Sequence, residues 1–255
     1  MIEAFGRTDV GRRRKANEDS FLVAPDSHLY AVCDGMGGHN AGEVASQMAI
    51  ESLADFVQKS AAESEITWPW GLDANLSFDA NRLKTGIRLA NSEVFQSAGQ
   101  REDLAGMGTT IVAGLVADTV LTLCSAGDSR CYLVRGGEMQ QLTKDDSWVS
   151  AALGEGILSS DDVEKHPLRN VITKAVGARD SIDLDIVEHT LEPGDVALLC
   201  SDGLHGMVSD DDIARLLLSS LDSLEVATSR LVDAANEAGG RDNVTAVLLR
   251  YSEEG

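Results

Sequence analysis

The chain has 255 residues, 43% of them hydrophobic and 25% charged. That composition matches an ordinary globular protein, with length enough for one large domain or two small ones. Forty-two acidic residues against twenty-one Lys and Arg leave a formal net charge of -21, which excludes a nucleic-acid or anionic-membrane binder, since both need a basic surface. An anionic substrate would then require a local reversal of sign, which a metal ion can supply.

The opening run MIEAFGRTDVGRRRK lacks the apolar core of a signal peptide, and no stretch approaches 18 consecutive apolar residues, so a cytoplasmic protein without a membrane span is expected. There is no internal repeat, low-complexity tract or long linker, and the whole of residues 1–255 reads as a single domain. Residues 21–24 and 28–33 have strand character. Ala41, Val44, Ala45, Met48, Ala49, Leu53, Phe56 and Val57 then follow the spacing of one buried helical face. Residues 60–80 hold Trp68 and Trp70 and no clear period, so they read as a surface excursion. Residues 81–95 repeat the helical pattern more weakly. Strands are expected over 110–117, 120–125 and 130–134, joined or followed by the hairpin-like connections at Ala117-Asp118-Thr119 and Arg135-Gly136-Gly137. Residues 149–176, with Gly154, Gly156 and Pro167, are irregular and read as a flap. Beyond them come a strand over 196–200, a helix start at Ser209 before three aspartates, a helix over 224–238 and a strand over 244–251. Hairpins disfavour a doubly wound parallel sheet, and the sum is an α+β protein. Cys33, Cys124, Cys131 and Cys200 sit in apolar runs without metal-site spacing and read as buried, reduced thiols.

The informative feature is where four acids stand. Asp34 closes the run LYAVC and precedes Gly35, Asp128 follows LTLCSAG, Asp202 follows VALLCS, and Asp242 precedes NVTAVLL. One Asp beside Gly at a strand end is ordinary turn chemistry. Four of them, if their strand ends converge, would repel one another unless cations lay between. Oxygen ligands without a Cys/His set point to Mg²⁺ or Mn²⁺ rather than zinc. The glycine-rich run after Asp34 is no dinucleotide loop, because Gly35 and Gly37 are followed by Asn40 where a third glycine belongs.

Eight motifs recur in order: TDVGRRRKANEDSF from Thr8, YAVCDGMGGHNAGEVAS from Tyr30, GMGTT from Gly106, SAGDSRCYLV from Ser125, LTKDDSWV from Leu142, HPLRNVITKAVG from His166, LLCSDGL from Leu198 and GGRDNVTAVLL from Gly239. Together they resemble the metal-dependent protein phosphatase (PPM) family, the protein phosphatase 2C enzymes, in their compact bacterial form. The resemblance implies a four-layer α-β-β-α sandwich of two antiparallel sheets flanked by helices. It implies hydrolysis of phosphoserine and phosphothreonine on proteins, opposing Ser/Thr kinases, by a hydroxide bridging two Mn²⁺ or Mg²⁺ ions. A third, weaker ion is also implied. Carried over residue by residue, Asp34 would bridge both ions and the Gly35 carbonyl would ligate one. Asp202 and Asp242 would complete the other ion's shell, Glu18 would act through water with Asp19 beside it, and Asp128 would help hold the third ion. Arg14 would grip the phosphate, a role suited to its planar fork, while Arg12, Arg13 and Lys15 read as solvated. His39 would protonate the leaving oxygen, and a serine or threonine alkoxide needs that proton. His166 in the flap and Asn243 would face the substrate. Family members usually act as monomers.

The run DGLHGM departs from the family pattern at His205 and Gly206, which bears on how the Asp202 loop is braced. The rivals are a pseudophosphatase that binds phosphoproteins, a phosphatase of small phosphorylated metabolites, and a nucleotide-dependent oxidoreductase. The intact Asp34, Asp202 and Asp242 argue against the first, and the glycine pattern argues against the last.

Overall fold

The structure is a computed structural model that describes residues 1–38, 41–62, 66–159, 162 and 166–253. Alternation of apolar side chains sets its layers. In β3 (Leu29–Met36), Leu29, Ala31 and Cys33 face one apolar cluster while Tyr30 and Val32 face another. The same two-faced burial recurs in β10 (Val196–Cys200) and β11 (Val244–Tyr251). There, Leu198, Cys200, Ala246 and Leu248 point one way, and Ala197, Leu199, Val247 and Leu249 the other. Strands buried on both faces must lie inside a stack of layers.

One sheet runs β1 (Ile2–Asp9), β11, β10, β7 (Arg130–Arg135) and β8 (Glu138–Gln141). The other runs β2 (Asp19–Ala24), β3, β5 (Ile111–Ala117), β6 (Val120–Ala126) and β9 (Asp185–Thr190), with the short β4 (Gly108–Thr109) against β3. Every pairing is antiparallel. The expected hairpins are present. Asp118 takes a φ of 51° in the two-residue turn between β5 and β6. Gly136 and Gly137, at 60° and 87°, turn β7 into β8, as a two-residue turn of matching twist requires.

Helices α1 (Ala41–Ala62) and α2 (Phe78–Gln100) cover the β2-to-β9 sheet through Leu53, Val57, Leu83 and Ile87. Among the described residues, the short helices α3 (Trp148–Gly154) and α4 (Asp202–His205) lie in connections. The other sheet is covered by α5 (Asp210–Leu218) and α6 (Leu224–Glu237) through Ile213, Leu217, Leu231 and Val232. The order of layers is therefore helix, sheet, sheet, helix. Serine hydroxyls cap α2, α3, α5 and α6: Ser77, Ser147, Ser209 and Ser223 each accept from the amide three residues on. All four cysteines are free and buried. No described helix is long and apolar enough to cross a membrane.

Two stretches differ from their sequence reading. Within the expected surface excursion, α1 continues to Ala62 and α2 starts at Phe78. Trp68 is wedged edge-on between Phe56 and Phe78, at 5.4 and 5.7 Å, because a large ring gains more from aromatic contact than from water. The irregular stretch expected over 149–176 opens as a helix, α3, which Ser147 caps.

Candidate active site

The inter-sheet layer is apolar along most of its length and turns polar at one end. In β2, Phe21 and Val23 pack between the sheets, so Asp19, two residues earlier, points the same way. In β3, Asp34 continues the inward row of Tyr30 and Val32, and the ladder sets Asp34 directly opposite Asp19. Ser201 extends the inward row of Ala197 and Leu199, and Thr245 that of Val247 and Leu249. Both hydroxyls donate to Asp19 Oδ2, at 2.8 and 2.6 Å. Facing carboxylates across a ladder repel, yet the backbone holds them there. Thr110 N–H and the Thr109 hydroxyl donate to the Asp34 carbonyl at 2.9 Å, and Asp34 N–H donates to Thr110 Oγ1 at 3.0 Å.

The remaining acids arrive from loops around this end. Asp202 opens α4 directly after β10, Asp242 precedes β11, and Asp128 follows β6. Glu18 precedes β2, and its carboxylate lies against Gly42 in the first turn of α1, where helix amides favour an anion. Close backbone approach is built in. A Cβ on Gly35 would stand 2.0 Å from the Gly42 carbonyl, and one on Gly203 would stand 1.8 Å from the Asn243 carbonyl.

The acids disturb one another. Burial raises the Asp34 carboxyl well above its ordinary value, and the charges of Asp19, Asp202, Asp128 and Asp242 push it further. Burial and Asp242 raise Asp202. Burial raises Asp19 to about 7 against the opposing hydrogen bonds from Thr245 and Ser201, and burial with Asp202 and Asp145 raises Asp128 to about 7. Burial also raises Glu18, with Arg14 pulling the other way.

The side chains fit a divalent cation. Glu18 Oε1, Asp19 Oδ1, Asp128 Oδ1 and Asp202 Oδ1 are buried acceptors with no hydrogen-bond partner, an arrangement that is unfavourable by about 1–3 kcal/mol per group and that a cation relieves. Among the described residues no three acidic, His or Cys side chains close into a ready-made cage.

At the rim, Arg14 Nη2 donates to Asp242 Oδ2 at 2.8 Å and Nη1 lies 3.7 Å from Glu18 Oε2. Its side chain is 48% exposed, open to an incoming anion. Asn243, expected to face the substrate, instead turns inward at 3% exposure. Its Oδ1 accepts from Glu18 N–H at 2.9 Å, and its Nδ2 donates to the carbonyls of Val10 and Ala16 at 3.0 and 2.9 Å. Every polar function of the amide is thereby engaged with the loop that carries Arg14 and Glu18. His166 stacks on Trp148, with ring centroids 4.7 Å apart, and its Nδ1 accepts from Leu168 N–H. Among the described contacts none joins it to the acids. His39 lies outside the described residues.

One acid is more central than its sequence reading, and one histidine stands beside the cluster. Asp19, 7% exposed, shares the carboxylate cluster rather than merely adjoining Glu18, and its parity with Phe21 and Val23 was the available signal. His205 is held at the end of α4 with Nε2 3.0 Å from the Asp128 carbonyl, and burial lowers its pKa to about 4.

The protein phosphatase 2C family pattern matches residues 11–245. A serine/threonine phosphatase stp of Listeria monocytogenes is 36% identical over 255 residues, spanning 97% of this chain and 95% of the relative. The crystal structure of the Mycobacterium tuberculosis serine/threonine phosphatase PstP/Ppp is similar at a TM-score of 0.85 and 36% identity, with 99% of each chain covered. The catalytic domain of the serine threonine protein phosphatase PstP, solved in complex with two manganese ions, gives a TM-score of 0.83 at 35% identity over 99% of each chain. The stacked antiparallel sheets, the acids at one end of them and these matches have one reading: the chain belongs to the protein phosphatase 2C family.

Proposed function

We propose that this chain is a metal-dependent serine/threonine phosphatase that removes phosphate from proteins, its two sheets and their helices forming one catalytic domain. The observation that carries this reading is the meeting of Asp34, Asp202 and Asp128, with partnerless buried oxygens on the last two, while Arg14 reaches Asp242 and Glu18 at the same rim. Asp34, the Gly35 carbonyl, Asp202, Asp242 and, through water, Glu18 would hold a pair of Mn²⁺ or Mg²⁺ ions, with Asp128 serving a third. Ions bound there would supply positive charge against a phosphate dianion and acidify water at neutral pH.

The chain's own groups do the rest. Arg14 presents its fork to two phosphate oxygens, binding and orienting the phosphorus. Asn243 fixes the Glu18 amide and the Val10-to-Ala16 loop behind that fork. His39, five residues past Asp34 in sequence, donates the proton that the departing serine or threonine oxygen needs. His166, stacked on Trp148, would meet the substrate chain. The substrates are phosphoproteins made by Ser/Thr kinases, and the enzyme works as a cytoplasmic monomer.

Phosphate release from a phosphothreonine peptide, with Mn²⁺ and with EDTA, tests the reading for the native chain and for Asp34→Asn. Manganese-dependent release that the substitution abolishes is expected. Peptide binding without release under any metal would replace it with a phosphoprotein-binding function. Release that survives both EDTA and Asp34→Asn would refute the carboxylate site.

A further inference from the structure

We infer that His205 is a positioning residue that clips the Asp202 helix to the Asp128 turn and thereby sets the geometry of the third cation site, the one that Asp128 serves. The inference rests on the metal reading above. Asp202 and His205 stand at opposite ends of one short helical turn, α4, so a constraint on one end is carried to the other. Gly206 N–H donates to the Asp202 carbonyl at 2.7 Å and closes that turn. At its far end, His205 Nε2 lies 3.0 Å from the Asp128 carbonyl. A carbonyl only accepts, so Nε2 carries a proton and is the donor of this bond. The Asp128 turn is held on its other side as well. Asp146 N–H donates to the Gly127 carbonyl at 2.8 Å, and Gly127 N–H donates to Asp146 Oδ2 at 3.2 Å. Gly127 has a φ of 106°, a conformation open to glycine and strained for other residues. The histidine adds a tie toward α4 to the ones this turn already has, to Asp146 and, through the neighbouring Ser129 hydroxyl 2.7 Å from the Thr110 hydroxyl, to the strand beside it.

The two carboxylates that the clip spaces each carry a partnerless buried oxygen, Asp128 Oδ1 and Asp202 Oδ1. Their distance from each other is what a cation between them would sense. Groups that orient ligands from behind typically change metal affinity by about 10–100-fold when lost. His205 touches neither phosphate nor water in this role, and acts through the Asp128 carbonyl that it holds to α4.

The test is a Mn²⁺ binding isotherm by calorimetry on the full chain, for the native protein, His205→Leu, His205→Gln and Asp128→Asn. His205→Leu keeps bulk and loses the donor, while the Gln Nε2 restores a donor near the original atom. We expect His205→Leu to weaken the weakest Mn²⁺ step by about tenfold while the tightest step stays native, and His205→Gln to restore it. In an Asp128→Asn background, His205→Leu should add nothing further. Equal weakening of every step would mean general loosening of the fold and would overturn the clip. So would an unchanged isotherm in His205→Leu, or a tenfold loss in His205→Gln. If His205→Leu does not fold, His205→Gln decides alone: a native weakest step supports the clip and a lost one overturns it. A native chain that binds no Mn²⁺ at all would instead overturn the metal reading on which the inference stands.

Discussion

At the scale of single residues, the acids are visible because each stands at the end of an apolar strand run, and Asp34, Asp128, Asp202 and Asp242 all fall at one end of the sandwich. Asp19 was not singled out, since an acid next to Glu18 reads as one member of a polar loop. Only the strand that follows shows that it faces inward with Phe21 and Val23. Asn243 differs from its sequence reading for the opposite reason: a polar side chain near a catalytic acid suggests a substrate contact, whereas burial forces its amide to satisfy the neighbouring backbone. Arg14 is the residue where charge and exposure agree. Replacing it with lysine keeps the charge and loses the fork. Arg14→Lys should lower kcat/KM on a phosphothreonine peptide by about 10–100-fold, the worth of a hydrogen bond to a charged group, with the melting temperature little changed. A native kcat/KM would remove Arg14 from phosphate binding.

At the scale of elements, the strands legible in sequence are the inner ones and one edge strand, β2, whose FLVA run is apolar. Of those not marked, β4 is a two-residue pairing on β3, while β1, β8 and β9 are edge strands of the two sheets. Their sequences, IEAFGRTD, EMQQ and DIVEHT, mix polar and apolar residues because one flank and part of a face meet water. Such segments lack the apolar run that betrays an inner strand. Element contacts also fix the acids to one another. Gly203 packs so closely on the Asn243 carbonyl that a Cβ would stand 1.8 Å away. Gly203→Ala should therefore push α4 off the start of β11, lowering stability by about 2–3 kcal/mol and Mn²⁺ affinity with it. A denaturant midpoint equal to the native one would show that the contact yields without cost.

At the scale of the whole molecule, the acidic end makes stability depend on pH and on cations. Asp19 and Asp128 titrate near 7 when folded, against an ordinary 3.8. Between those values the folded chain holds protons that the unfolded chain has released, so stability is greatest at the low end and is lost as pH rises through 7. His205, lowered from 6.5 to about 4, acts in the opposite sense, but only below about 6.5, where the unfolded histidine still binds a proton. The window from pH 6.5 to 8 thus isolates the carboxylates. In EDTA the melting temperature should fall by a few degrees across it, from about 1 kcal/mol per group. Saturating Mn²⁺ should raise the melting temperature and flatten that fall. A melting temperature that climbs from pH 6.5 to 8 in EDTA would mean that these acids are already ionised and matched in the folded chain.

The pairing of β1 with β11 also dictates when the site can exist during synthesis. Glu18 N–H meets Asn243 across 225 positions and Asp19 meets Thr245 across 226, so the ribosome makes one half of the acidic end long before the other. Until β11 emerges, β1 has no partner, Asp19 lacks one of its two hydroxyl donors, and the inward rows of β3 and β5 lack Val247 and Leu249 against them. A nascent chain is therefore inert toward phosphoproteins on the polysome. Translation interrupted before residue 244 leaves a product with an uncovered apolar face, fit for proteolysis rather than for dephosphorylation, so activity arrives in one step with the last strand.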